Sequence, residues 1–96
     1  MLYQSQARID SPSAGLYLSR LCQHWGRSAR VLYDGQQGLV LSERSRHILR
    51  LEGDHLDITL QSFNPIELDE LERRVGSQLS GLLYRPGRTI DWKRKT

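Results

Sequence analysis

The sequence predicts an α+β domain in which two helices cover one face of a single antiparallel sheet. Two segments carry apolar residues at three- and four-residue spacing, which is the pattern of an amphipathic helix. Between these segments the period changes to two, which is typical of strands with one buried face. Two layers bury all of these apolar faces most economically. We therefore expect a two-layer sandwich with the order β-α-β-β-β-β-α-β.

Length and composition favour one soluble domain. The chain has 96 residues, of which 38% are hydrophobic, and this is enough for one core. We expect residues 1–96 to form a single domain with a basic, frayed C-terminus from about residue 93. The single cysteine excludes an intrachain disulfide. Since the sequence shows no signal-like leader and no long apolar run, we expect a cytoplasmic protein.

The first two elements are a strand and a helix. Alternation over Tyr3 to Ile9 predicts a short opening strand. Ser11 suits the N-cap of the first helix, and Pro12 suits its first turn. Gly26 is expected to end the helix in the left-handed conformation. The apolar stripe of this helix consists of Ala14, Tyr17, Leu18, Leu21, Cys22 and Trp25.

The middle of the chain, from Arg30 to Ser62, predicts four strands joined by tight turns. Asp34-Gly35, Glu43-Arg44 and Gly53-Asp54 are the turn signals. One face of the third and fourth of these strands is predicted to be buried, and it carries His47, Leu49, Leu51, Leu56, Ile58 and Leu60. The other face carries Arg46, Ile48, Arg50, Glu52, His55, Asp57, Thr59 and Gln61. This arrangement predicts an antiparallel meander with one wet face.

The second helix and a last strand complete the fold. Asn64-Pro65 is expected to begin the helix, whose acidic first turns suit the helix dipole. Its buried stripe is predicted at Leu68, Leu71, Val75, Leu79 and Leu82. Gly76 within this helix indicates close packing against a neighbouring element. The final strand is predicted over residues 88–93, with Ile90 and Trp92 on one side.

The end of the first helix holds the chain's best candidate for a functional cluster: Cys22, His24, Trp25 and Arg27. Cys22 and His24 are the candidate metal ligands. However, residues two apart on a helix point about 200° away from each other, so the pair predicts no confident metal site. The structural alternative is that Cys22 and Trp25 pack in the core, while His24 satisfies the last helix carbonyls. We predict no cofactor.

The motifs of common enzymes are absent from the sequence. It contains no glycine-rich phosphate loop, no Gly-x-Ser-x-Gly elbow and no His-Glu-x-x-His helix. Asp57 and Glu52 are placed to meet across a hairpin, but two exposed carboxylates are weak support for acid-base catalysis. We therefore assign no catalytic residue and favour a non-enzymatic function.

Most of the excess positive charge lies near the C-terminus, in Arg85, Arg88, Lys93, Arg94 and Lys95. These residues form either a solubilising tail or a site for a polyanion. Sheet surfaces that bind nucleic acid present exposed aromatic side chains beside their cations. Here the meander offers only Tyr33, which aligns with the predicted buried set. The pattern therefore disfavours nucleic acid as the ligand.

The segment Leu21-Cys22-x-His24-Trp25 resembles a motif of a family of small bacterial proteins, domain of unknown function 2218. The similarity covers nearly the whole chain, including Ala7-Arg8 and Trp92 in the closing segment. Members of this family occur alone, and some resemble a C-terminal appendage of siderophore-interacting flavoproteins, which implies a link to iron handling. The family tends to have histidines where this chain has Arg27 and Gln78, and this difference weakens a histidine metal site.

Three functions remain open at this point. The first is a protein-binding or accessory domain that holds a partner protein, or a second copy, through the outer sheet face near Leu32 and Ile48. The second is a metal- or redox-linked accessory role centred on Cys22 and His24. The third is polyanion binding through the basic C-terminus. We favour the first, with no membrane partner, because no catalytic constellation is present.

Overall fold

The computed structural model describes residues 1–83 and 90–95, and within them the elements follow the predicted order. The α+β class is confirmed: an antiparallel sheet packs against two helices. The elements are β1 (Tyr3–Asp10), α1 (Ala14–Trp25), β2 (Arg30–Tyr33), β3 (Gln37–Leu41), β4 (Ser45–Glu52), β5 (His55–Ser62), α2 (Pro65–Leu83) and β6 (Lys93–Lys95). Neither helix is long and apolar enough to cross a membrane, as far as the described residues extend.

The strands lie in the spatial order β2-β3-β4-β5-β1-β6. Each neighbouring pair is antiparallel. β2 to β5 form the predicted meander, and β1 pairs with β5 along its whole length, from Tyr3 opposite Ser62 to Asp10 opposite His55. The chain therefore brings its first strand into the sheet beside the fifth, and β6 adds to the outer side of β1.

Alternation along the strands divides the sheet into two sides. The helix-facing side carries Tyr3, Ser5, Ala7, Ile9, Val40, His47, Leu49, Leu51, Leu56, Ile58, Leu60 and Ser62. Cross-strand partners on this side form continuous rows, such as Val40, His47 and Leu60. The opposite side, which we call the open face, consists of the intervening residues. No helix covers the open face in the described part of the chain.

The core lies between the helix-facing side and the two helices. α1 contacts β2 to β5, α2 contacts β1 and β5, and the helices touch each other. The α1 stripe is buried as predicted, and Leu68, Leu71, Val75 and Leu79 of α2 are buried as well. The side chain of Leu82, the last residue of the predicted stripe, lies outside the described part. Burial of these aliphatic side chains is the main source of stability.

Both predicted ends of α1 are wrong in detail. The helix begins at Ala14, and Ser11 acts one turn earlier, where its Oγ accepts the backbone N–H of Ser13. Gly26 is right-handed, with φ −62°, and its N–H donates to the carbonyl of Cys22. The turn continues until Ala29 donates to Trp25. Because these bonds already satisfy the last carbonyls, no left-handed residue is needed.

Other local predictions are confirmed. Asn64 Oδ1 accepts the N–H of Ile66 at 2.9 Å, and α2 begins at Pro65. At the first hairpin turn, Asp34 Oδ1 accepts the N–H groups of Gln36 and Gln37, and these bonds lower the pKa of Asp34. Gly35 follows with φ +94°, a conformation that glycine adopts without steric cost.

The C-terminal segment differs from the prediction. Among the described residues the strand lies at Lys93–Lys95, while Ile90 and Trp92 precede it and pack half-buried against the core. The first two residues of the predicted strand, 88 and 89, lie outside the described part of the chain. Lys93–Lys95 form β6, which pairs with β1. Arg94 also binds Asp69 and Glu72 of α2. The bond to Glu72 is the main cause that raises the pKa of Arg94.

Candidate functional site

The open face is a broad side of the sheet that no helix covers among the described residues. Its centre is an apolar row in which Leu32, Leu39 and Ile48 lie opposite one another on β2, β3 and β4. Leu32 is 52% exposed. Successive side chains of a strand point to opposite sides of the sheet, so these three residues alternate with helix-facing ones. Because the sequence has aliphatic residues at both sets of positions here, the open face also carries an aliphatic row. An uncovered aliphatic row of this kind is typical of a binding surface.

Charged side chains flank this apolar row. The strands contribute six cationic residues to the open face: Arg8, Arg30, Arg46, Arg50, Lys93 and Lys95. They contribute three carboxylates: Asp10, Glu52 and Asp57. The strand residues of this face therefore carry an excess of positive charge. The field of such a surface attracts acidic partners.

Two shallow depressions shape the open face. One, of about 600 Å³, lies over β1, β4 and β5 and is lined by Arg8, Arg50, Asp57 and Lys93. The other, of about 670 Å³, lies over β2, β3 and β4 and includes the whole apolar row. Arg50 and Ile48 line both depressions, so the two are adjacent. Together they form one continuous, mixed apolar and cationic surface.

A small polar cluster lies at one edge of the open face, beside the β4–β5 turn. His55 Nε2 lies 3.8 Å from Glu52 Oε2 and 3.8 Å from Asp57 Oδ2. These three side chains are close enough together to share a metal ion. However, Arg8 Nη2 lies 2.9 Å from His55 Nδ1 and brings a positive charge to the same place. Glu52 and Asp57 thus lie close together across the hairpin, as predicted, and His55 and Arg8 lie beside them.

Cys22 lies in the core. It is 5% exposed, and burial raises the pKa of its thiol, which disfavours the thiolate. Its sulfur packs directly on the backbone of Gly38, since a Cβ at Gly38 would lie only 2.5 Å from Sγ. The arrangement gives Cys22 the environment of a small apolar side chain.

Trp25 packs against His47, which is 3% exposed and lies on the buried side of the sheet, as alternation along β4 predicted. The two rings meet edge to face with centroids 4.5 Å apart. Burial lowers the pKa of His47 to about 4. The sequence indicates this burial, because His47 lies two residues before Leu49 and four before Leu51 and so shares their side of the strand.

The predicted functional cluster thus divides between two environments. Cys22 and Trp25 belong to the core, whereas His24 and Arg27 are exposed. His24 and Arg27 line a cavity of about 340 Å³, together with Arg20 and Gln78, and Cys22 is not among its lining residues. The cavity itself is a feature that sequence reasoning did not find.

The basic residues near the C-terminus also separate. Lys93 and Lys95 point to the open face, while Arg94 turns to the carboxylates of α2. Arg85 and Arg88 lie outside the described residues. Tyr33 was expected with the buried set, but it is about half exposed because β2 is an edge strand.

Comparisons with known proteins identify relatives but no activity. Residues 6–93 match the model of a family described as uncharacterized proteins conserved in bacteria, DUF2218. The fold is similar to the NMR structure of PA4090 from Pseudomonas aeruginosa, with a TM-score of 0.80, 25% sequence identity and coverage of 95% of each chain. No curated protein matches the chain.

Proposed function

Because this chain belongs to DUF2218, a family of uncharacterised bacterial proteins, we propose that it is a non-enzymatic binding module. Its open face holds an acidic partner protein. The observation that carries this proposal is the apolar row of exposed Leu32 and half-buried Leu39 and Ile48 between arginine-bearing positions. No helix of the described residues covers this side, which leaves the row accessible to a partner.

The arrangement of the open face corresponds to the anatomy of protein interfaces. Such interfaces bury an apolar centre and surround it with a polar rim, and arginine is enriched among their residues. Here Ile48 and Leu39 supply the centre, while Arg46 and Arg50 lie beside Ile48 on the same strand face. Arginine adapts to both roles, since its stem covers apolar surface and its guanidinium binds carboxylates in pairs.

The charge of the open face selects among possible occupants. A second copy that presents the same face would bring two cationic surfaces together, which like-charge repulsion disfavours. An acidic protein surface complements the six cations and also matches the apolar row. Nucleic acid complements the charge but not the aliphatic row, because bases stack on aromatic rings. We therefore favour an acidic partner protein over a homodimer or a polyanion.

The metal or redox alternative centred on Cys22 and His24 has less support. Gly38 covers the Cys22 sulfur, whose raised pKa disfavours the thiolate that metal binding and redox chemistry require. The resemblance to domains attached to siderophore-interacting flavoproteins still suggests a first partner to test. We propose a siderophore-interacting flavoprotein from the same bacterium, which would connect the module to iron handling.

The test compares matched apolar substitutions on opposite sides of the molecule. Leu32→Ser and Leu16→Ser each remove a leucine that is 52% exposed, but Leu16 lies on α1, away from the open face. Binding to the purified flavoprotein is measured by calorimetry. We expect Leu32→Ser combined with Ile48→Ser to weaken binding at least tenfold, while Leu16→Ser leaves it unchanged. Arg46→Glu is expected to slow association, an effect that added salt reduces.

Other outcomes would contradict the proposal. If the flavoprotein does not bind, proteins captured from the bacterial lysate are tested with the same variants. The absence of any protein that the open-face variants release counts against a binding module. A dimer that dissociates on Ile48→Ser favours a second copy as the occupant. Tight, salt-sensitive binding of RNA or DNA oligomers in place of protein points to the polyanion alternative.

A further inference from the structure

We propose that a second copy of the chain binds at the outer edge of β2, where the β2 strands of the two copies pair in antiparallel orientation. β2 is an edge strand, and among the described residues it pairs only with β3. A free strand edge presents backbone N–H and C=O groups that can bond to another strand. In this dimer the two sheets lie side by side and both open faces stay uncovered. It therefore differs from the face-to-face dimer that like-charge repulsion disfavours.

The two edges of the sheet differ in composition. At one edge β6 is Lys93–Lys95, and a strand made only of cationic residues resists pairing with another strand. At the other edge β2 contains Val31, Leu32 and Tyr33, and its single charged residue is Arg30. Leu32 is 52% exposed and Tyr33 is 48% exposed. The edge of β2 is therefore the one suited to a second strand.

The hydrogen bonds of the first hairpin determine which backbone groups of β2 point outward. The N–H of Asp34 donates to the carbonyl of Gln37 at 3.1 Å, so these two residues form a hydrogen-bonded pair. Hydrogen-bonded and non-hydrogen-bonded pairs alternate along an antiparallel ladder. Tyr33, next to Asp34, and Val31, two residues before Tyr33, are therefore in non-hydrogen-bonded pairs with β3. Their N–H and C=O groups point away from β3, toward the free edge.

One register of the two β2 strands uses all of these outward groups. When Leu32 of one copy lies opposite Leu32 of the other, Val31 lies opposite Tyr33 of the second copy, and these two residues exchange both backbone hydrogen bonds. The two-fold axis repeats the same pair on its other side. The register also packs the half-exposed ring of Tyr33 beside the aliphatic Val31, which is a favourable cross-strand pair.

The same register brings opposite charges together. Arg30 lies opposite Asp34 of the second copy, because each is two residues from Leu32. Neither residue forms an ion pair within the described part of the chain. The N–H groups of Gln36 and Gln37 hold the pKa of the Asp34 carboxyl below its usual value, so it is negatively charged at neutral pH. Moving the register by two residues in either direction separates these charges, so they select the register centred on Leu32.

The dimer also enlarges the open face available to a partner protein, a consequence that, unlike the dimer itself, rests on the proposed function. The Leu32 side chains of both copies meet on the open face, so the apolar rows of Leu32, Leu39 and Ile48 join into one. Because β2 has only 4 residues, the interface is small, and small interfaces are typical of weak, reversible association. We therefore expect a dimer that forms at high concentrations of the chain.

Exchange of the two charges tests the pairing by sedimentation equilibrium. Arg30→Glu places a carboxylate opposite Asp34, and Asp34→Lys places an ammonium opposite Arg30, so each variant alone should weaken the dimer about tenfold. In an equimolar mixture both cross-copy pairs again join opposite charges, and we expect association nearly as tight as that of the wild type. Arg73→Glu, on the exposed surface of α2, is the matched control and should leave the dimer unchanged. The unfolding midpoint of each variant is measured first, because Asp34 also holds the hairpin turn.

Cysteine cross-linking tests the register independently of charge. In the proposed pair the two Leu32 Cα atoms lie about 4.5 Å apart, a distance that a disulfide spans. Leu32→Cys combined with Cys22→Ala should therefore form a covalent dimer on mild oxidation. Leu39→Cys in the same Cys22→Ala background is the control, because Leu39 lies one strand further from the edge on the same face. It should remain a monomer.

Three results would overturn the proposal. The first is a wild-type chain that remains monomeric up to about 1 mM. The second is a mixture of folded Arg30→Glu and Asp34→Lys chains that associates no better than either variant alone. The third is cross-linking through Leu39→Cys as fast as through Leu32→Cys. Ile48→Ser, two strands from this edge, should leave the dimer intact while it weakens partner binding, so the two proposals fail separately.

Discussion

The two sides of the same sheet differ in almost every physical respect. On the helix-facing side, cross-strand rows such as Val40, His47 and Leu60 are buried under α1 and α2. On the open face, one residue further along each strand, arginines and half-exposed aliphatic side chains meet water. The comparison indicates that the helix-facing side supplies most of the stability, and we propose that the open face binds a partner. Substitutions at neighbouring positions on one strand therefore test this division between the two sides of the sheet directly.

The largest expected effect comes from adjacent residues of β4. Leu49 is buried on the helix-facing side, and Ile48 lies half-buried on the open face. Leu49→Ala removes methyl groups from a packed site and leaves a cavity, so we expect the free energy of unfolding to fall by about 3 kcal/mol. Ile48→Ala should cost about 1 kcal/mol or less, because water already reaches its side chain. Urea titration followed by tryptophan fluorescence measures both losses.

Leu39→Ala on β3 is the control for this comparison, since Leu39 neighbours Ile48 in the apolar row. It should resemble Ile48→Ala. Equal losses from Leu49→Ala and Ile48→Ala would mean that the open face contributes to folding as much as the core. The division between a stability side and a binding side would then be wrong.

A second prediction sharpens the assignment of Cys22 to the stability side. Gly38→Ala places a methyl group 2.5 Å from Cys22 Sγ and 3.3 Å from a methyl group of Leu18. Both neighbours are buried, and we expect a loss of about 2 kcal/mol in the free energy of unfolding. Cys22→Ala removes the sulfur and makes room for the new methyl group. The double variant should therefore be more stable than the sum of the two single effects predicts.

Gly15→Ala is the matched control, because a Cβ at Gly15 meets only a side-chain methyl group of Leu51, at 3.6 Å. It should not be destabilising. Strictly additive losses in the Gly38 and Cys22 variants would show that the sulfur does not occupy the space above Gly38. In that case the thiol would again be a candidate for chemistry.

The fold could be predicted from the sequence where period alone decides the outcome. Alternation of apolar and polar residues assigned the helix-facing residues of β4 and β5 correctly, including His47. The apolar stripes of the two helices correctly predicted that both pack on the same side of the sheet. Those predictions depend on which residues avoid water, a property that each segment carries by itself. The α1 ends and β6 depend instead on competing hydrogen bonds and on pairing with distant strands. Lys93–Lys95 is polar throughout, so no local pattern shows that β1 will pair with it.

The candidate sites could be predicted less well. The segment around Cys22 looked chemically rich, but helix geometry sends Cys22 and Trp25 inward and leaves His24 and Arg27 at the surface. The cavity beside His24 requires Gln78, which is more than fifty residues away in the chain and is brought close only by the packing of α2 on α1. Sequence reasoning did place Leu32 and Ile48 on the outer face, yet the apolar row forms only through the cross-strand register.

The smallest predicted effect concerns His47, whose imidazole lies on the helix-facing side. Burial lowers its pKa from 6.5 to about 4, so the folded state resists protonation that the unfolded state accepts. The stability that this histidine contributes is fully present above pH 6.5 and is lost as the pH falls toward 4. Between pH 7.5 and 5.5 we expect the free energy of unfolding to decrease by about 1 kcal/mol from this source.

His47→Leu tests this expectation, because leucine keeps an apolar side chain between Val40 and Leu60 and cannot take up a proton. The decrease between pH 7.5 and 5.5, measured by urea unfolding, should largely disappear in this variant. Leu60→Val, next to His47 in the same row, should lower stability by about 1 kcal/mol at both pH values and keep the wild-type pH dependence. A pH dependence unchanged by His47→Leu would mean that water reaches the ring beside Trp25. The helix-facing side would then be open where the row of Val40, His47 and Leu60 meets α1.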